Sequence, residues 1–181
     1  PFGTVSAPST QRSRPPRADS ARSPRTSDPR SLRSRSMRAV ADLADEEPLR
    51  VLVAEDNELN REVIIALLGT VGLAPDIAWN GLEAVEWARA RPYDLILMDV
   101  QMPHMNGLEA TRAIRALPGQ ERTPILAMTA NVSGHDRDEA LAAGMNAHIG
   151  KPVDPEALWG ALLQWWPAKV LGAPGVRLPG V

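Results

Sequence analysis

Four short apolar runs in this sequence end in residues that can do chemistry. Arg50–Ala54 leads into Glu55 and Asp56, Tyr93–Met98 into Asp99, Pro124–Met128 into Thr129, and Asn146–Gly150 into Lys151. Taken alone, Asp99 is a helix cap or the start of a turn. Taken together, the three carboxylates would crowd one crevice. Like charges that close either raise their pKa values or require a cation. With no His or Cys in the set, the oxygen donors favour a hard ion, Mg²⁺ or Mn²⁺. Thr129 adds a hydroxyl and Lys151 a fixed positive charge. A cation, an ammonium and a hydroxyl around a carboxylate make a site for a phosphoryl group. Asp99 is the natural nucleophile there, since an aspartate can form an acyl phosphate.

These residues are far apart in the chain, so the intervening elements must gather them. Each run is short and continuous, as expected for strands buried on both faces of a parallel sheet. Between them lie helix-period segments. Glu58–Val71 carries Leu59, Val63, Ile64, Leu67 and Leu68, and Gly72 closes it. Ala74–Trp79 is a further strand, followed by an Asn80-Gly81 turn and a helix over Leu82–Ala90 that Pro92 stops. Helices follow at Leu108–Leu117, Ser133–Ala143 and Pro155–Trp166. Strand and helix alternate five times, which predicts a parallel sheet with helices on both faces. Right-handed crossovers restrict the layout. A flavodoxin-like (βα)5 fold, an α/β class with strand order 2-1-3-4-5, places strands 1 and 3 side by side and their carboxyl ends at the switch point, where ligands bind.

The ends of the chain differ in composition. Residues 1–40 hold nine arginines against Asp19 and Asp28, a balance of +7, while the remainder holds 11 basic and 20 acidic residues, a balance of −9. Residues 1–48 are rich in Arg, Ser and Pro and poor in large apolar side chains. Such a segment cannot offset its ordering entropy, so it is expected to be a disordered linker, with a short helical lead-in over Met37–Glu47. A nucleic-acid-binding tail is the competing reading, but Phe2 is the only aromatic available for base stacking. The domain is expected over 49–167 and a flexible tail over 168–181. The absence of cysteine excludes disulfides and thiolate metal sites. No apolar run is long enough to span a membrane. Pro1 reads as a cut end, not a signal peptide.

Five motifs carry a family resemblance: Glu55-Asp56-Asn57, Leu97-Met98-Asp99-Val100-Gln101-Met102-Pro103, Met105-Asn106-Gly107, Met128-Thr129-Ala130 and Gly150-Lys151-Pro152. Each alone is weak; all five, in order and at strand ends, are specific. Val51–Trp166 resembles the receiver domain of two-component response regulators. The resemblance implies that Asp99 accepts a phosphoryl group from a phosphohistidine. It implies that Asp56, Asp99 and the main-chain carbonyl of Gln101 bind Mg²⁺ (or Mn²⁺), with Glu55 reaching the ion through water. Lys151 would pair with Asp99 and then with a phosphoryl oxygen. Thr129 would move toward the phosphoryl group, with Ala130 leaving room above it. Three residues before the lysine the family usually has Tyr or Phe, whose ring swings inward with the threonine; here it is His148. Two readings of His148 stay open: a switch with added pH sensitivity, or a partly exposed residue without that role.

Glu55–Arg61 and Met98–Pro103 look most like the receivers of hybrid sensor histidine kinases. Only fifteen residues follow the last helix, too few for a DNA-binding output domain, and a linker precedes, as if a kinase core lay before Pro1. The implied partners are that kinase core and a histidine phosphotransfer protein, in the cytoplasm, with no nucleic acid and no membrane contact from this segment. The first-helix face around Leu59 and Val63 is a candidate docking surface, although core packing competes for those residues. His104 reads as a solvated loop residue and His135 as part of a polar helix start. Core packing explains Trp159, whereas one of Trp165 and Trp166 is expected to be exposed, for contact with another domain or subunit. The rival functions are a non-phosphorylated binding module regulating a linked kinase, and a flavin binder. The second is disfavoured because Glu55–Glu58 would repel phosphate without a cation.

Overall fold

The alternation of apolar side chains along the strands builds two cores, one on each face of the sheet. The computed structural model describes residues 29–46, 49–130 and 134–166. The strands are β1 (Val51–Ala54), β2 (Asp76–Ala78), β3 (Leu95–Asp99), β4 (Ile125–Thr129) and β5 (Ala147–Gly150), all parallel in the expected order β2-β1-β3-β4-β5. The helices are α1 (Pro29–Glu46), α2 (Glu58–Gly69), α3 (Gly81–Ala90), α4 (Gly107–Arg115), α5 (Gly134–Ala143) and α6 (Pro155–Trp165). Successive strand residues point to opposite faces. Val51, Val53, Leu95, Leu97, Leu126 and Met128 therefore meet α1, α2 and α6. Leu52, Ala54, Ile96, Met98, Ile125 and Ala127 meet α3, α4 and α5. With both faces covered, all four residues of β1 and all five of β3 are buried.

The helix starts are written in the sequence. Asn57, Asn80, Asn106 and Asp154 each cap a helix by accepting a main-chain N–H three residues on, and Glu109 completes a capping box with Asn106. Pro155 occupies the first turn of α6, where its missing N–H costs nothing. Gly107 is required by close approach: its N–H donates to Val100 O at 2.9 Å, and a Cβ there would run into the main-chain carbonyl of Asp99. The start of α4 is thereby pressed against the end of β3.

The N-terminal region differs from expectation. Helix extends over Pro29–Glu46, beginning well before the anticipated lead-in at Met37. α1 packs on α6, with Val40 and Ala44 buried against the core that holds Trp159 and Trp166, and Ser36 Oγ donates to Glu156 Oε1 at 2.6 Å. The expected linker is thus helical over Pro29–Glu46. Residues 1–28 and the expected 168–181 tail lie outside the described residues. The same contact corrects the reading of the final tryptophans. Trp166 is buried and Trp165 partly so, because α1 supplies the covering surface that another domain or subunit was expected to provide. The apolar residues on the outer side of α2 turn out not to be core: Leu59 and Val63 are 68% and 43% exposed.

Candidate functional site: an acidic cleft at the carboxyl edge of the sheet

The register of the sheet brings the predicted residues together. Ala54 pairs with Met98, so Glu55 and Asp99 emerge on adjacent strands. Asp99 pairs with Met128 and Thr129 with Gly150, which sets Thr129 beside Asp99 and Lys151 one residue past the end of β5. Lys151 N donates to Thr129 O at 2.8 Å, and the Lys151–Pro152 peptide is cis.

Lys151 Nζ lies 2.6 Å from Asp99 Oδ2 and 2.7 Å from Glu55 Oε2, bridging two carboxylates that are both almost fully buried. The other oxygens are also held. Asp99 Oδ1 accepts from Gln101 N at 3.0 Å. Glu55 Oε1 accepts from Asn60 Nδ2 at 3.0 Å and from Asn57 N at 3.3 Å. Asp56 is exposed, yet its carboxylate joins those of Glu55 and Asp99 in a cluster in which one oxygen from each lies within 4.8 Å of the other two. Beside them opens a cleft of about 570 Å³ lined by Asp56, Gln101, Met102, Pro103 and Asn106 among others.

The electrostatics follow from this packing. Burial is the largest influence on Asp99 and raises its pKa; the negative charge of Glu55 pushes the same way. The hydrogen bonds from Lys151 and Gln101 N–H pull it down, and the balance stands at about 6, up from 3.8. Three carboxylates facing one ammonium leave the cleft short of positive charge. The donor set is all oxygen, two of its members are buried, and the cluster is tight, which suits a hard divalent cation.

Thr129 and His148 line one small void together with Ala127 and Ala140. His148 also borders a larger surface cavity of about 310 Å³ with Arg137, Leu141 and Gln164. The ring therefore stands between the interior behind Thr129 and the outer groove. His104 is exposed in the β3–α4 loop, as expected, in the left-handed region at φ 68°, and His135 is exposed in the first turn of α5, 3.6 Å from Glu139.

Two contributors were passed over in the sequence. Asn60 braces Glu55, and Arg61 is buried beneath the acidic turn, where Nη1 donates to Glu55 O at 3.0 Å and to Asp56 O at 2.7 Å. The available signal was an arginine in register with Ile64 and Leu68, the buried stripe of α2.

Comparison with known proteins agrees with the geometry. Residues 51–163 match the family described as the response regulator receiver domain. The signal transduction histidine-protein kinase BarA of Escherichia coli is 39% identical over 127 residues, a match covering 69% of this chain but 14% of that protein. The crystal structure of the receiver domain of a Pseudomonas aeruginosa sensor histidine kinase, solved with a magnesium ion coordinated in the active site cleft, is 40% identical. It aligns with a TM-score of 0.62 over 65% of this chain and 96% of that one. The receiver domain of a Saccharomyces cerevisiae response regulator, co-crystallised with a histidine phosphotransfer signaling protein, is 31% identical. Its TM-score is 0.65, over 70% of this chain and 94% of that one. With its motifs gathered at the carboxyl edge of a 2-1-3-4-5 sheet, this chain belongs to the response regulator receiver domain family.

Proposed function

We propose that the domain is the phosphoacceptor of a phosphorelay, with Asp99 taking the phosphoryl group. The observation that carries this reading is the bridge from Lys151 to both Asp99 and Glu55 within a cluster that also includes Asp56. An Asp99 carboxylate oxygen attacks the phosphorus of a phosphohistidine. The oxygen–phosphorus bond forms, the phosphorus–nitrogen bond breaks, and the freed imidazole nitrogen recovers its proton from solvent. Lys151 starts as the counterion of Asp99 and moves its hydrogen bond to a phosphoryl oxygen as the carboxylate charge is consumed. Thr129 donates its hydroxyl to a second phosphoryl oxygen. Asp56, Asp99 and the carbonyl of Gln101 would hold Mg²⁺ or Mn²⁺, with Glu55 reaching it through water. Such an ion, when bound, neutralises the carboxylates and the charge gathering on the phosphoryl oxygens. Thr129 and His148 line one void, which supports coupled movement of the two, with an inward swing of His148 as the readout of phosphorylation.

The relatives support a setting in a hybrid histidine kinase, with the kinase core as donor and a histidine phosphotransfer protein as recipient. In that setting it works in the cytoplasm, where ATP supplies the kinase; no described helix is long and apolar enough to cross a membrane. The exposed Leu59, Val63 and Ile65 on α2 give a partner's helices an apolar surface beside the cleft. A purely regulatory binding module is the second reading, and the complete pocket weighs against it. Loading with acetyl phosphate and Mg²⁺, followed by addition of a histidine phosphotransfer protein, tests the relay. Label should appear on the added protein, and none should form with Asp99→Asn. Retention of all label on the receiver would refute the relay direction.

A further inference from the structure

The acidic turn after β1 is held from beneath by a buried cation. Arg61 is 5% exposed, and its Nη1 donates to two consecutive main-chain carbonyls, Glu55 O and Asp56 O. The ring of Trp79 lies on its guanidinium, 3.8 Å from the centroid, although Trp79 itself is 56% exposed. These two carbonyls belong to the peptide planes on either side of Asp56. Because peptide planes are rigid, fixing both fixes φ and ψ of Asp56 and the direction in which its Cβ leaves the chain. Glu55 has its carboxylate anchored by Asn57, Asn60 and Lys151. The exposed carboxylate of Asp56 depends on its backbone for its aim.

We propose that Arg61, clamped by Trp79, is a positioning residue that sets the divalent-cation affinity of the cleft. This rests on the cation site proposed above. A merely electrostatic Arg61 has the opposite signature: a positive charge beside three carboxylates weakens cation binding, so its removal would tighten it. Loss of positioning weakens binding instead. The sign of the change separates the two roles.

The test is a Mn²⁺ titration of the full chain followed by electron paramagnetic resonance, with thermal unfolding in chelator as the check on folding. Wild type should bind one Mn²⁺ and Asp56→Ala should lose it; if wild type binds none, or Asp56→Ala binds equally well, the cation site itself is refuted and this proposal with it. Given that site, Arg61→Ala should raise Kd by about 10-fold. Arg61→Lys should recover part of the loss, because it restores one donor and the stack. Trp79→Ala should raise Kd by ~3-fold, the scale of one cation–π contact. Trp87→Ala is the control: its ring stacks on Arg91 at 4.8 Å at the other edge of the sheet, so its affinity should stay at the wild-type value. Should Arg61→Ala fail to fold, Trp79→Ala decides. Wild-type or tighter binding in folded Arg61→Ala or Trp79→Ala overturns the proposal, and so does equal weakening in Trp87→Ala.

Discussion

The two edges of the sheet use charge in opposite ways. At the amino edge Arg115 is surrounded by acceptors: Gly144 O takes bonds from Nε and Nη2, Gln120 O and Thr123 O from Nη1, and Asn146 Oδ1 from Nη2, all at 2.7–3.0 Å. Gln120 and Thr123 tie the same corner to Ala88, Arg91 and Tyr93. This is one cation serving several neutral acceptors, and it pins α4 to the loops that start β4 and β5. At the carboxyl edge two carboxylates, Glu55 and Asp99, share the ammonium of Lys151, and a third, that of Asp56, lies in the same cluster. The amino edge is satisfied by the protein alone. The carboxyl edge keeps an excess of negative charge, and that imbalance marks it as the candidate site.

Breaking the amino edge should cost the most. Arg115→Ala leaves several carbonyls without their donor and should destabilise by about 2–4 kcal/mol in urea unfolding. Mn²⁺ affinity of the folded fraction should be unchanged. At the carboxyl edge, Lys151→Ala strands two buried carboxylates and should cost about 2–3 kcal/mol in chelator. Unlike Arg115→Ala, it should be rescued progressively by Mg²⁺, which can take over the lost charge. Asp99→Asn should act in the opposite direction and stabilise the metal-free protein by about 1–2 kcal/mol at pH 7, because it removes a charge that burial disfavours.

The pH dependence sharpens the same contrast. Asp99 is raised in the folded state to about 6, from 3.8, so between those values the folded protein binds more protons than the unfolded chain. Its contribution to stability is therefore lost as pH rises from about 4 to about 6. In chelator, the stability of wild type relative to Asp99→Asn should fall across that window and level off above it. The smallest effect is expected away from both edges. Val40→Ala, in the seam between α1 and α6, should cost about 1–2 kcal/mol and leave cation binding alone.

The site was legible because its residues sit at strand ends, where a short apolar run followed by a polar residue is a local signal. Sheet order then followed from the βα alternation, and register did the rest. α1 was hidden by averaging. Met37, Val40, Ala41 and Ala44 keep the helix spacing, but they are embedded in Arg and Ser whose composition reads as linker. Without α1 the covering of Trp166 could not be foreseen. Arg61 was missed for another reason. Its partners are main-chain carbonyls, which no side-chain pattern announces, and the ring against it comes from the far end of β2. The exposure of Leu59 and Val63 was not decidable either, since the helix period alone leaves open how wide the buried stripe of α2 is.

Asp99 is the proposed carrier of the phosphoryl group. Borohydride reduction after treatment with acetyl phosphate, followed by peptide mass mapping, reads this directly, since an acyl phosphate on aspartate is reduced to homoserine. Homoserine is expected at position 99, dependent on Mg²⁺ and abolished in Asp56→Ala. Homoserine at another aspartate, or none at position 99 with Mg²⁺ in excess, would contradict it.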